Sequence, residues 1–309
     1  MPALQISIYA SLLIFAVGIV VKTIKISRMP IHLRWDLYPI PHEKGKERYG
    51  GSRHEDSDWW TKPVRSSIAG EVKEIAREIF GLKTLHRYNR GLWYFSFPFH
   101  LGLYALIGLI VLLSTGALLM MWGVDFSADS ASLYIRLIRF STIVVGALGW
   151  ALGLIGSAGL LLTRTLRKNY REFSSVSNYF DLLLLLTLFA VGLSAWLSAD
   201  LSYDFLRTFV HDLISFSATG DLPMLIRIEI SLAAIFLAYL PFTTMTHFVA
   251  KFFTYHRVRW DDSPNAPGSR LERDVVEALG NRVSWTAPHI ATGKTWSEGA
   301  AGDRGEPGN

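Results

Sequence analysis

Residues 95–122 read FSFPFHLGLYALIGLIVLLSTGALLMMW. The stretch holds no Asp, Glu, Lys or Arg, and it exceeds the ~20 residues of helix that cross a hydrocarbon layer. Lipid offers the backbone no hydrogen-bond partners, so a run of this length spans a bilayer as helix. Near its start sits one imidazole, His100. The run decides the fold class, and the histidine poses the question of function.

Four further runs have the same character: Leu4 to Val21, Leu133 to Leu162, Tyr179 to Leu197 and Met224 to Phe253. Together they predict an all-α membrane protein, a bundle of five transmembrane helices. Composition agrees, since half of the 309 residues are hydrophobic and only 18% are charged, too apolar for an ordinary soluble enzyme. The first run lacks a basic start and a small-residue cleavage pattern and continues into Lys22 and Lys25, so it reads as a retained helix rather than a signal peptide. The chain has no cysteine, which rules out disulfides, a thiolate-held iron–sulfur cluster and a Cys-x-x-Cys-His haem attachment of its own. Net charge is +5, from 31 Lys and Arg against 26 Asp and Glu; nothing points to nucleic acid, and no internal repeat is visible.

The loops set an expected orientation. Arg164, Arg167, Lys168 and Arg171 follow the third run, whereas Asp125 and Asp129 follow the second, with no base before Arg136. Between the fourth and fifth runs, Asp200, Asp204, Asp212 and Asp221 stand against Arg207. The positive-inside rule then puts the N-terminus outside and the C-terminus in the cytoplasm, as a multi-pass protein of the cytoplasmic (inner) membrane. Four parts follow: a first span (1–24), a cytoplasmic segment (25–94), a four-helix membrane core (95–255) and a cytoplasmic tail (256–309).

Segment 25–94 opens with Pro30, Pro39 and Pro41, passes Gly50-Gly51 and reaches Trp59-Trp60, a pair suited to the headgroup region. From Ser66, the spacing Ile68, Val72, Ile75, Ile79, Leu82 predicts an amphipathic helix with Glu71, Lys73, Glu74, Arg77 and Glu78 around it. Its apolar face suits a membrane surface or a docked partner, and equally a small local core. In the tail a short helix is expected near Leu271 to Leu279, then Val283-Ser284-Trp285, then a Gly-rich end of disordered composition.

Of nine histidines, only His100 and His247 lie within the apolar runs. An ionisable group in lipid is costly and normally faces the bundle interior with a functional partner. His100 lies about five residues, and His247 about six, from the cytoplasmic ends of their helices, so at ~1.5 Å per residue both are ~8–9 Å deep. Two imidazoles at one level suit the two axial faces of a haem. Gly102 permits close approach of a helix or a macrocycle. Thr243, four residues before His247, is placed to accept its second ring N–H. Lys251 and Arg90 are placed to meet propionates. The competing account is a haem-free membrane anchor in which the two histidines hydrogen-bond between helices.

These residues resemble the cytochrome b (gamma) subunit of respiratory nitrate reductase and its relatives. That family has five helices with the N-terminus outside, a Phe-His-x-Gly motif on the second, matched by Phe99-His100-Leu101-Gly102, and Pro-Phe shortly before a ligand histidine on the fifth, matched by Pro241-Phe242 and His247. This likeness covers roughly 95–255. A closer one is to the membrane cytochrome b of transmembrane electron-transfer complexes of sulfate and metal reducers. It rests on Leu33 to Pro39 with Pro41-His42-Glu43, on Leu92-Trp93-Tyr94 with Phe97-Pro98-Phe99-His100, and on Val283-Ser284-Trp285, Ala287-Pro288-His289-Ile290 and Gly293-Lys294-Thr295-Trp296. This second likeness runs nearly end to end. It implies a cytoplasmic iron–sulfur partner of the heterodisulfide-reductase type, or a related reductase subunit, with quinone or quinol as substrate.

The resemblance also implies a second, outer haem, and there the sequence departs. The position ten after His100 is Ile110 and the position eighteen before His247 is Glu229, neither of them an imidazole. One haem b is expected, with two as the alternative. On a continuous helix, eighteen residues are about five turns, which puts Glu229 and His247 on one face ~27 Å apart. Glu229 reads either as the proton acceptor of a quinol or as an interfacial carboxylate paired with Arg227 or Arg136. Asp181 reads as a helix N-terminal charge. His211, in an amphipathic stretch with Phe205, Leu206, Phe209 and Val210, approaches the bundle only if that stretch folds inward. His86 and His256 read as solvated or partner-facing residues, and His32, His42, His54 and His289 carry no assigned role. The expected function is an electron-transfer subunit of an oxidoreductase complex.

Overall fold

The computed structural model describes residues 3–29, 55–63, 67–127, 129–259, 266–286 and 292–301, with backbone alone for 257–259. Their helices are α1 (Ala3–Ser27), α2 (Ile68–Gly81), α3 (Lys83–Tyr88), α4 (Arg90–Met121), α5 (Leu133–Leu166), α6 (Lys168–Arg171), α7 (Val176–Ala199), α8 (Asp204–Ile214), α9 (Met224–Tyr239), α10 (His247–Phe253), α11 (Arg270–Leu279) and α12 (Trp296–Ala301). No strand forms among the described residues; one isolated bridge pairs Arg282 with Thr295. Among the described residues, five segments are long and apolar enough to cross a membrane: α1, α4, α5, α7 and Met224–Phe242. The chain is an all-helical, multi-pass membrane protein.

It divides into two compact units, Met1–Ile19 with Ile75–Thr244, and Val20–Glu74 with Met245–Asn309. In the first, α4 packs along α5, α5 along α7 and α7 along α9, while α8 lies against α4. Local chemistry marks the starts of these helices. The Asn89 side chain accepts the Leu92 N–H at 3.1 Å to begin α4, and Ser175 with Asn178 forms a capping box on α7. The α4–α5 seam is built on small residues. A Cβ on Gly102 would meet the Gly153 backbone N at 2.4 Å, and one on Gly156 the Phe99 backbone N at 2.4 Å. Apolar burial drives little association in lipid, so such close backbone approach is a main source of cohesion between spans. Ile107, Ile110 and Val111 are exposed on the opposite side of α4, as lipid-facing residues should be.

The N-terminal part of α1 is tied to the end of α8 and the segment after it. Gln5 Nε2 donates to Ser217 O at 2.7 Å and Tyr9 Oη to Leu213 O at 2.6 Å. A Cβ on Gly18 would meet the Pro241 side chain at 2.5 Å.

The fifth run is not the continuous helix to Phe253 that its hydropathy predicts. α9 ends at Tyr239, a 3₁₀ turn covers Leu240–Phe242, Thr243 is extended at φ −100°, ψ 170°, and a second 3₁₀ turn covers Thr244–Thr246 before α10 begins. Pro241 has no N–H for the Leu237 carbonyl and its ring crowds that turn. The Thr243 hydroxyl donates to Leu240 O at 2.9 Å, satisfying a carbonyl at the helix end. The count of five turns from Glu229 to His247 therefore does not describe this chain, nor does a helical four-residue register from Thr243 to His247.

In the second unit, His256 joins the first part of α2 to the π-helical turn Thr254–Arg259: its Nε2 lies 2.8 Å from Glu71 Oε1 and its Nδ1 2.8 Å from Phe252 O. The expected tail helix is α11, capped by the Ser269 side chain. Beyond it Val283 N–H donates to Lys294 O at 2.9 Å, and the rings of Trp285 and Trp296 lie 6.3 Å apart. The amphipathic helix is α2, with Ile68 and Val72 exposed, so these two do not belong to a local core. Leu82, expected on its face, stands beyond its end at φ 47°. Glu78 is buried and accepts the Thr84 N–H and hydroxyl, both at 2.9 Å. Pro30 to His54, Ala287 to Ile290 and the Gly-rich end from 302 lie outside the described residues.

Candidate functional site

His100 stands half-buried on α4, and helix geometry sets its direction. Phe99 and Gly102 both face α5; at ~100° per residue, His100 is turned off that seam. Its Nδ1 lies 2.7 Å from the Ser96 carbonyl oxygen and 3.4 Å from the Ser96 hydroxyl. A carbonyl only accepts, so Nδ1 carries the hydrogen and Nε2 the lone pair. Metal-ligating histidines are commonly held this way, with the second ring nitrogen bonded to a backbone carbonyl. Ser96 did not figure in the sequence reading; the signal was its place one turn before the histidine. Gly102, read as easing approach of a helix or a macrocycle, is used by a helix, since its Cα faces the Gly153 backbone.

Arg90, at the first turn of α4, is exposed and makes no hydrogen bond or ion pair among the described residues. His247 is the first residue of α10 and is exposed. Lys251, one turn later, holds its ammonium 5.7 Å from the centre of the Tyr255 ring. His100, Gly102, Arg90, Glu229 and Thr243 belong to the first unit, and His247 and Lys251 to the second.

The other end of the first unit holds a buried polar cluster that the sequence barely announced. Asp200, closing α7, accepts the N–H groups of Phe205 at 3.2 Å and Leu206 at 3.0 Å and so starts α8. α8 does fold inward. Arg207 is 1% exposed, packed over Gly116, with its guanidinium 4.7 Å from the Phe126 ring centre. It pairs with Asp204, which Arg139 grips through both oxygens at 2.8 and 3.0 Å. His211, also on α8, pairs with the neighbouring Asp212 at 3.2 Å. Burial pushes the Asp200 carboxyl above the usual carboxylate range, against the pull of the Leu206 and Phe205 N–H groups. Burial acts the same way on Asp204, but the Arg139 and Ser202 hydrogen bonds outweigh it and hold that carboxyl below its usual range. Burial lowers the Arg207 guanidinium.

Tyr203, at φ 59°, is 1% exposed; its ring lies on Gly146 and stacks on Trp196 at 6.3 Å. Burial raises its phenol well above the usual value. Tyr203 Oη, Trp150 Nε1 and Arg207 Nε are buried without a hydrogen-bond partner among the described residues. Glu229 is 5% exposed and forms no ion pair with Arg136 or Arg227, both exposed. The interfacial ion-pair reading of Glu229 is thereby overturned, because a snorkelling carboxylate reaches water and this one does not. Asp181, read as a helix-end charge, is buried and accepts the Tyr239 hydroxyl at 2.9 Å, tying α7 to α9.

Compared with models of known families, with curated proteins and with solved structures, the chain matches none.

Proposed function

We propose that this chain is a membrane cytochrome b subunit that passes electrons between the quinone pool and a cytoplasmic redox partner through one haem b. The observation that carries the reading is His100: an imidazole within the uncharged stretch 95–122, its Nδ1 bonded to the Ser96 carbonyl so that Nε2 is the basic nitrogen. Its proposed counterpart is His247, the first residue of α10, which lies beyond the membrane-crossing segment Met224–Phe242, so the matched depth counted along an unbroken fifth helix no longer supports the pairing. Haem supplies a one-electron carrier. The chain's own residues do the rest: Gly102 seats α4 on α5 and so aims His100, Lys251 and Arg90 offer cations for carboxylates, and Thr243 shapes the turn that leads into α10. Glu229 is the proposed proton acceptor for quinol.

The loop charges support an N-terminus outside and a C-terminus in the cytoplasm of the inner membrane. With no cysteine in the chain, iron–sulfur chemistry belongs to the partner, proposed as an iron–sulfur protein of the heterodisulfide-reductase type or a related reductase subunit.

The test is the reduced-minus-oxidised spectrum of the purified protein. A b-type band is expected, lost in His100→Ala and in His247→Ala, with about one haem per chain by pyridine haemochrome. A wild type without the band, or a band surviving both substitutions, would overturn the electron-carrier reading and leave a haem-free anchor. Two haems per chain would restore the outer site.

A further inference from the structure

α2 has 14 residues, ~21 Å of helix, too short to cross a bilayer. Its apolar residues Ile68, Val72, Ile75 and Ile79 fall on one stripe. Ile68 is 76% and Val72 59% exposed, and Phe80, at the edge of the stripe, is 63% exposed. Lys73 and Arg77 are exposed on the opposite side. The C-terminal end of the helix is fixed by α4. Tyr104 Oη donates to the Ile79 carbonyl at 3.0 Å, the Tyr104 ring meets the Phe80 ring edge-on at 5.7 Å, and Trp93 Nε1 donates to the Gly81 carbonyl at 3.0 Å. Both donors stand on a span. Tyr104 lies nine residues into the uncharged stretch 95–122, ~13–14 Å along the helix. Helical side chains lean toward the N-terminus, so its phenol reaches back from that depth toward the Arg90 end of α4, where Trp93 takes the second carbonyl.

We infer that α2 lies in the plane of the membrane boundary, its apolar stripe against phospholipid acyl chains and its charged side in the headgroup layer. Lipid, rather than a soluble protein, is the occupant for three reasons. The bonds that hold the end of α2 come from a membrane span, so the stripe begins where lipid already is. The stripe runs from Ile68 to Ile79 while charges recur from Glu71 to Arg77; neither half can sink into hydrocarbon or lift into water without misplacing one set, and only an in-plane axis serves both. The adjoining surface has headgroup chemistry. Lys83 and Arg87 are exposed between α2 and the uncharged stretch, where cations meet lipid phosphate, and Tyr88 and Tyr94 are exposed beside them, rings of the kind that settle at headgroup level. Glu78, the acid nearest this corner, is turned inward and taken up by the Thr84 N–H and hydroxyl. The inference goes beyond the proposed function and uses neither haem nor quinone.

The chain has no cysteine, so a nitroxide can be attached to cysteines introduced one at a time without background labelling. The full chain is placed in nanodiscs of phosphatidylcholine and phosphatidylglycerol, and paramagnetic resonance reads collisions of each label with oxygen, which concentrates among acyl chains, and with a water-soluble nickel chelate. Ile68→Cys, Val72→Cys and Ile79→Cys are expected to show an oxygen-to-nickel ratio severalfold above Lys73→Cys and Arg77→Cys, alternating with the helical period. All five positions are exposed, so helix content by circular dichroism should not change. Equal ratios on the two sides would overturn the membrane face and assign the stripe to a soluble partner. Stripe labels shielded from both reagents would overturn it as well, since protein would then cover the stripe. A chain without a haem spectrum but with the alternating ratios would sink the electron-carrier reading while keeping this one.

Discussion

Replacing Gly102 by Ala tests whether the α4–α5 seam is set by backbone contact. The added Cβ would lie 2.4 Å from the Gly153 nitrogen, 2.7 Å from its Cα and 3.0 Å from the Gly149 oxygen, against an ordinary contact of 3.4 Å or more. The two helices must therefore open by about 1 Å, and no side chain can rotate away to prevent it. Overpacking costs about 1–3 kcal/mol, here at the upper end because backbone must move. Alanine recovers about 1 kcal/mol in helix propensity, leaving a net loss of about 2 kcal/mol, or roughly 30-fold in the folded-to-unfolded ratio. Gly108 is the control on the same helix: its Cβ would meet only Val145 Cγ1 at 3.3 Å, which a small side-chain shift relieves, so Gly108→Ala should be neutral or slightly stabilising. Equilibrium unfolding in mixed micelles of rising denaturing-detergent fraction, followed by circular dichroism, reads both. Equal stability of the two variants would refute the claim that backbone contact fixes this seam.

Ser96→Ala should retain haem, because His100 Nδ1 is bonded mainly to the Ser96 carbonyl, which the substitution keeps; loss of the absorption band would transfer that role to the hydroxyl. Tyr239→Phe removes the hydrogen bond to Asp181 and should cost about 0.5–1.5 kcal/mol in the same unfolding assay. Acid titration separates two nearby carboxylates. Asp204, held below its ordinary value, contributes stability present above the unfolded value near ~3.9 and lost as pH falls toward the folded one, so Asp204→Asn should flatten the acid limb. Asp200, raised by burial, has the opposite sign: its charged form costs stability, and that cost disappears as pH falls through the raised value. Asp200→Asn should accordingly show no gain on acidification.

The spans were legible because lipid demands long uncharged helices, and runs such as 95–122 have no other stable reading. α11 and α2 were legible from periodicity alone. The break after Tyr239 was not, because hydropathy averages over Pro241 and three threonines, which are apolar enough to pass while withdrawing an N–H and adding competing hydroxyls. Arg207 was hidden for a different reason. On α8 its position is on the buried face, and only the coincidence of Gly116, Phe126 and Asp204 around it makes an inward cation tolerable. Glu229 stood out as an acid within an apolar run, yet nothing local told burial from snorkelling; Tyr203 and Trp150, both buried, carried no mark in sequence. Conversely, His100 was prominent from the start, while its support, Ser96, is a backbone contact to which side-chain patterns are blind.

The first span has a consequence for biosynthesis. α8 finds its anchors, Gly116, Phe126 and Arg139, in chain made before it, so it can seat as soon as it leaves the ribosome. The N-terminal part of α1 is in the reverse position: Tyr9 and Gln5 donate to Leu213 and Ser217, 204 and 212 residues onward, and Gly18 meets Pro241. These contacts can close only once translation has passed Leu213, Ser217 and then Pro241, so a nascent chain stalled before Pro241 would still lack the Gly18 contact.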